Sequence, residues 1–549
     1  MKIQGTLPQH INTENKKEKQ NVRFTGGFEA FSTALRFLDT NQAWGANAVD
    51  LGSMVIPRTT VDFVNRGPAA GAETGRRESA GTINHSLIGV YGSAAGLAFA
   101  TLLNKDYGIR ADKIFADNET VDIVGTAFHK QIHNGSKNPL EDALKETFSN
   151  LSTTVDGIEK RLDNNQVDNV VKRTITALNS KDIDSRTITD STKKYLVNYI
   201  NQALGSESDY KLAAPSKETT TSLSTFIENV YNLSKAFTEE SVVKAFKAAK
   251  DFDKNEFINR FKSMNKNRTI AGMAIASGVG MTIQPLNIYL TKKKTGSDGF
   301  VGVEGREKDN SANFKLMKVL ASAIFGGGIV GSLAMQEGGL LKNIQFKGMI
   351  PTINQFKLIY GLTIMSRFMV ARDKDELRES VVKDVLGFLN WLVLGNFVAK
   401  GVVLALDKNK ELLKDKNGGW NNFFKTKLKT RDEVLLAGLK KSGIDAVENG
   451  KALSFSKMLK KLPANELGKS VRKNLRILNI AQVAGYLYSG LVLGVGIPKL
   501  NIYMTNKSEA KRQAMLAQKR AQMSDNERML SSQNIEFLKK QNTVSNMSA

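Results

Sequence analysis

The chain has 549 residues, 78 Lys and Arg against 54 Asp and Glu, a net charge of +24 and no cysteine. Disulfides, cysteine-ligated zinc or iron–sulfur centres and a thiol nucleophile are therefore excluded. The positive charge favours an anionic partner: lipid headgroups, nucleic acid or an acidic protein.

The opening stretch, "MKIQGTLPQHINTENKKEKQNVRF", is polar and lacks an apolar core ahead of a small-residue cleavage site. We expect residues 1–25 to be disordered, with no cleavable secretion signal, so that an internal segment would direct any insertion into a membrane. From 28 to 104 the chain turns apolar, and Ser79 to Asn104 contain no charged residue. Four more such runs follow: Thr269 to Thr291, Val319 to Gln336, Val385 to Ala399 (continuing past Lys400 as "GVVLAL"), and Ile477 to Pro498. A helix of ~20 mostly apolar residues crosses a bilayer core of ~30 Å. Four runs meet that length, and the fifth does so if Lys400 snorkels to the interface. The runs carry Gly92 with Gly96, Gly327 with Gly331, Gly490 with Gly494, and Ala276 with Gly280, all at small-xxx-small spacing. Such spacing lets helices approach closely in lipid. The expected fold is all-α: a multi-pass membrane bundle.

Two phrases recur. "GMTIQPLNIYLTKK" (280–293) matches "GVGIPKLNIYMTNK" (494–507), which aligns Leu286, Asn287, Ile288 and Tyr289 with Leu500, Asn501, Ile502 and Tyr503. Upstream, "GAETGRRESAG" (71–81) matches "RDKDELRESVV" (372–382), and "GSMVIP" (52–57) matches "KGMIP" (347–351), in the same order. This predicts a duplication, roughly 28–293 and 314–507. The domain plan is then 28–104 and 269–293 for the first half, and 314–406 and 477–507 for the second. Polar helical inserts fill 105–268 and 407–476, and a basic tail occupies 508–549, helical and then disordered. The LNIY motif followed by lysines fits an interfacial anchor.

If the LNIY ends leave on one face, the second half needs an even number of passes. The missing one falls at 349–371, which carries Lys357 and Arg367; it is either a buried, paired span or an interfacial helix with the repeats inverted. Whether 43–65 spans is open as well. Lys and Arg are balanced between the two faces, so orientation is also open. Arg367 is the chief intramembrane candidate; the alternative is a snorkelling Arg at a helix end. Glu73, Arg76, Arg77, Glu78, Arg372, Glu376, Arg378 and Glu379 form the main charged constellation, read as a salt-bridged collar between the halves or as a gate.

In the first insert, "NPLEDALKETFSNL" and "TEESVVKAFKAAKDFDKNEFINRFKSM" predict helices, and "APSKETTTSLST" (214–225) a loop. A small helical bundle is expected there. In the second insert, "TRDE" (430–433) predicts a capping box. "HKQIH" sets His129 and His133 one turn apart without the Glu of a zinc-protease motif, so no metal is expected. The triple glycine 326–328 lacks a following Lys-Ser/Thr, and no hydrolase, dinucleotide or kinase motif is present. No catalytic residues, no cofactor and no nucleic-acid partner are expected.

The stretch "NQAWGANAVDLGSMVIPRTTVDFVNRGPAAGAETGRRES" (41–79) resembles a region of uncharacterised multi-pass membrane proteins of non-photosynthetic gut relatives of cyanobacteria, mainly over residues 41–104. The resemblance implies a bacterial inner-membrane setting and brings no activity with it. The leading functional expectation is a non-enzymatic membrane scaffold or anchor that presents the inserts to anionic lipid or an envelope protein. A transporter or channel between the halves is the second. A soluble helical effector that inserts into membranes is the third.

Overall fold

The computed structural model describes residues 25–40, 42–155, 158–179, 188–205, 210–214, 217–296, 299, 301, 307–336, 338–390, 397–414 and 418–545. Of the stretch 1–25 expected to be disordered, residues 1–24 lie outside these and Thr25 opens a helix; the last four tail residues and 391–396, within the fourth apolar run, lie outside as well.

The chain is mostly helical, 77% helix against 5% strand. Three helices are long and apolar enough to cross a membrane: Glu256–Thr295, Ala312–Ala334 and the continuous run 466–522. A fourth candidate is the pair Pro68–Ser86 and Ile88–Tyr107, bent by 46°. These counts are of the described residues.

The bent pair lies antiparallel to Glu256–Thr295 along its whole length. Arg76 meets Asn287, the Asn84 amide donates to Ala276 O, and Gly92 and Gly96 abut Gly272 and Arg268. A second hairpin has the same form. Helices Lys374–Phe388 and Phe397–Leu406 run antiparallel to the helical run 466–507: Glu379 meets Asn501, and Phe397 packs edge-on against Tyr488 at 5.1 Å. Between the hairpins, Ala312–Ala334 and Ile353–Val370 form a further antiparallel pair, tied by Ser322 Oγ to Met365 O at 3.4 Å and by Asn354 to Gln336 at 3.0 Å. The segment 353–370 is thus a buried helix at the centre of the bundle, and the chain passes from end to end four times between Ala312 and Thr505. Both LNIY ends therefore lie at one end of the bundle and both inserts at the other. The inserts touch there, with Gln202 bonded to Ile444 O and Ala446 N, and Lys440 to Ala203 O.

The first insert departs from the expected helical bundle. Its helices surround an antiparallel sheet of Leu151–Val155 (β1), Ile158–Arg161 (β2), Tyr210–Ala214 (β3) and Lys217–Thr221 (β4), in the order β2-β1-β3-β4. The Ser/Thr-rich stretch expected as a loop supplies β4. A run of β-branched Thr suits a pleated edge, where packing rather than hydrophobicity decides. The core beneath holds Phe128, Phe148, Phe226, Phe237, Phe246 and Phe257, all 2% exposed or less. In the second insert Thr430 and Glu433 form the expected capping box. Arg36 from the Thr25–Thr40 helix pairs with Asp432 there at 2.5 Å. The tail continues the last helix without a break as far as Ser545.

Candidate functional site: a buried charge cluster between the hairpins

Pro68–Ser86 and Lys374–Phe388 bring their acidic residues to the middle of the bundle, and the helices before each bring arginines. At the centre, Arg367 binds Glu78 at 3.0 Å and Asp384 at 2.8 Å, while Arg58 stands 3.6 Å from Glu78 and 3.9 Å from Asp384. All four are at most 6% exposed. Two cations and two carboxylates therefore alternate around one point, which is how a desolvated cluster can stay charged. One turn towards the LNIY end, Arg372 grips Glu73 at 2.6 Å and Glu376 at 2.9 Å, and Arg66 forks onto Glu379.

The same contacts occur twice. One constant shift along the chain carries Arg66, Glu73, Thr74, Arg77, Glu78 and Gly81 onto Arg372, Glu379, Ser380, Lys383, Asp384 and Gly387. Under that shift Arg66–Glu379 becomes Arg372–Glu73. A Cβ on Gly81 would meet the Arg367 guanidinium, and one on Gly387 the Arg58 guanidinium. The LNIY motifs follow the same rule: Asn287 Nδ2 donates to Glu73 O at 3.2 Å, and Asn501 Nδ2 to Glu379 O at 3.3 Å. This register differs from the sequence match of "GRRES" with "LRES". Glu379 occupies the place of Glu73, not of Glu78, and the Arg-Glu-Ser identity does not mark equivalent positions.

Of the eight collar residues, Glu73, Glu78, Arg372, Glu376 and Glu379 are buried in ion pairs within this cluster. Arg77 lies 3.7 Å from Glu78. Arg76 faces Asn287 and Thr291, at 3.0 and 2.7 Å, and Arg378 faces Asp375 and Thr505, at 2.5 and 2.7 Å. The LNIY motif thus has two faces. Leu286, Tyr289, Leu500 and Tyr503 point outward, each more than half exposed, while Asn287 and Asn501 lock the helix onto its charged partner. Lys357, roughly 15 Å earlier than Arg367 on its helix, is half-buried.

The chain segments 50–55 and 489–496 are both π-helical and pack on each other. The Arg58 guanidinium donates to Leu493 O at 3.5 Å, a contact suited to a π turn, where the normal carbonyl ladder is interrupted. Of the expected packing glycines, Gly92, Gly96, Gly280 and Gly494 sit where a Cβ would lie under 3 Å from a neighbour. Gly327, Gly331 and Gly490 face open space, so their spacing does not mark contacts inside this chain.

Outside the cluster, the His129 and His133 rings lie 4.3 Å apart. Their Nε2 atoms contact Ala249 O and Phe246 O at 2.9 and 3.2 Å. These are carbonyls at the end of helix Glu240–Ala248, so the pair caps that helix. No group of three or more potential metal ligands occurs among the described residues. His85 is buried between Phe356 and Tyr360. A small polar recess opens beside the cluster, lined by the matched pairs Glu73 and Glu379, Thr74 and Ser380, Arg77 and Lys383.

Comparison of the chain with known protein families, with curated proteins and with solved structures gave no match.

The sequence pointed to the Arg/Glu helices but missed Arg58, Asp62, Arg66, Lys383 and Asp384. The Asp62–Arg66 spacing of one turn was the available signal; Arg58, in "VIPRTT", looks like an ordinary residue at the edge of a helix.

Proposed function

We propose that the chain is a multi-pass integral membrane protein of two duplicated halves, arranged in parallel, which act as a non-enzymatic scaffold. The halves hold two polar domains side by side at one membrane face, for an anionic lipid or protein partner in a bacterial inner membrane. One observation carries the reading: the bundle buries charge while it exposes large apolar side chains. Arg58, Glu78, Arg367 and Asp384 are inside, whereas Leu97, Leu102, Ile324 and Leu491 are 54–75% exposed. The apolar windows of the three long helices are one-third buried or less. Water-soluble monomers rarely expose apolar surface on this scale, and ionisable residues in membrane bundles face inward in pairs. The doubled contacts of the cluster support the duplication. The test is extraction: the chain should remain with membranes through alkaline carbonate and come into solution only with detergent. A monodisperse protein in detergent-free buffer would favour the soluble effector instead.

A second reading, a transporter or channel between the halves, is favoured by the recess, because matched residues of both halves line it. It ranks second because the central charges are already neutralised by one another. Ion or solute flux into proteoliposomes that Arg367→Ala abolishes would reverse the order.

A further inference from the structure

We infer that the 418–426 loop of the second insert is an interfacial anchor, seating Trp420 and Phe424 among acyl chains beneath anionic headgroups. Trp420 is 61% exposed and Phe424 74%, although Trp420 stacks on Phe423 at 5.8 Å and Phe423 meets Phe424 edge-on at 5.4 Å. The loop is built to hold them outward. Gly419 takes a positive φ of 144°, and its N–H donates to the buried Thr426 hydroxyl at 2.8 Å. That hydroxyl in turn donates to Asn422 O at 3.0 Å.

The placement of the loop identifies the partner. Lys400, within the fourth apolar run, donates its amine to Phe424 O at 3.3 Å and lies over the Phe423 ring at 6.0 Å. A Cβ on Gly401 would meet the Trp420 ring at 3.8 Å. Lys400 is six residues short of the end of helix Phe397–Leu406, roughly 9 Å back along its axis. The loop therefore folds down beside an apolar helix to a depth below that helix's end, and takes a cation that would otherwise face lipid. Exposed Lys408, Lys410, Lys425 and Lys427 lie in or beside it along the chain, and the Lys410 amine donates to Gly418 O at 3.4 Å. Trp at the headgroup level with lysines above is the pattern of an interface anchor on an anionic leaflet.

The inference rests on the membrane reading, and the test separates the two. The chain has three tryptophans, Trp44, Trp391 and Trp420. The full chain bearing W44F and W391F, reconstituted in phosphatidylglycerol–phosphatidylcholine vesicles, reports Trp420 alone. Its fluorescence should be quenched more by lipid brominated near the headgroup than by lipid brominated near the chain end. It should also be quenched more when phosphatidylglycerol carries the bromine than when phosphatidylcholine does, and K425E with K427E should remove that second preference. The variant W44F/W420F reports Trp391, in the apolar run. Quenching of Trp391 without quenching of Trp420 would overturn the anchor and leave the membrane reading standing. Quenching of neither would overturn both. Phe424→Trp, with all three native tryptophans replaced by Phe, repeats the measurement from the second exposed position.

Discussion

The first insert and the helical bundle use the same residue types in opposite ways. In the insert, seven phenylalanines from Phe128 to Phe261 fill the centre, and pairs such as Lys145–Glu141 and Lys194–Asp190 lie in solvent. In the bundle, arginines and carboxylates are buried beside an apolar core that includes Phe314, Ile359 and Phe368, while a large set of Leu, Ile and Tyr lies outside. The insert is the arrangement that water enforces, since burying apolar area there is worth about 25 cal/mol per Å². The bundle would gain nothing of the kind by hiding its leucines if its solvent were lipid. What it must hide is charge. The contrast bears on the solvent proposed for each region more directly than composition does.

The contrast breaks first at Arg367. Arg367→Ala takes the shortest cationic contact from both Glu78 and Asp384, leaving Arg58, Arg77 and Lys383 at 3.6–3.9 Å, and should cost about 3–5 kcal/mol, read as a fall in the unfolding midpoint in detergent. Adding Glu78→Gln and Asp384→Asn should recover much of that loss. A single variant as stable as the parent would mean that water already reaches the cluster. In the insert the matching change is Phe237→Ala, which removes a ring stacked on Phe128 at 4.8 Å and should cost about 3–4 kcal/mol. Proteolysis should then open the insert first, while membrane retention stays unchanged; loss of retention would show that the two regions fold as one.

The glycines sharpen the comparison within the bundle. A Cβ on Gly92 would lie 2.5 Å from the Phe346 ring, so Gly92→Ala should destabilise by about 1–3 kcal/mol. Gly327→Ala, facing open space, should shift stability by less than about 0.5 kcal/mol. Equal effects would remove the distinction between a packed and an outward-facing glycine.

Glu376→Gln removes one of the two carboxylates that Arg372 grips and should lower the unfolding midpoint by less than Arg367→Ala does; an equal or larger fall would move the weight of the cluster to the collar. Smallest of all, Lys145→Ala, an exposed pair in the insert, should leave the midpoint where it was.

Some of this was legible in the sequence. Three of the charge-free runs, 269–291, 319–336 and 477–498, mark the three long apolar helices, while 79–104 crosses the bend after Ser86 and 385–399 runs past the end of helix Lys374–Phe388; the LNIY phrase marks two helices that dock alike. Arg367 stood out as an arginine in an otherwise apolar stretch. Its partner Asp384 did not, because it sits in "VVKDVLG", where one turn of helix separates a polar junction from an apolar run. The register of the proposed repeat differs from the sequence match for a related reason. What is preserved between Glu73 and Glu379 is a carbonyl offered to an Asn and a carboxylate offered to an Arg across the bundle, and neighbours such as Arg76 and Val382 are free to differ. The sheet in the first insert escaped because its strands are short and rich in Thr and Lys, with little of the alternation that reveals a half-buried strand.

The absence of native cysteine allows one decisive mapping of sidedness. Lys194→Cys and Lys441→Cys probe the two inserts, and Lys293→Cys and Met515→Cys the chain beyond the two LNIY ends; all four sites are exposed. In sealed vesicles from the producing cells, an impermeant maleimide should label one pair, either 194 with 441 or 293 with 515, and reach the other only after detergent is added. Labelling of all four sites in intact vesicles, or of one site from each pair, would contradict an inside-out bundle crossing lipid with both inserts on one side.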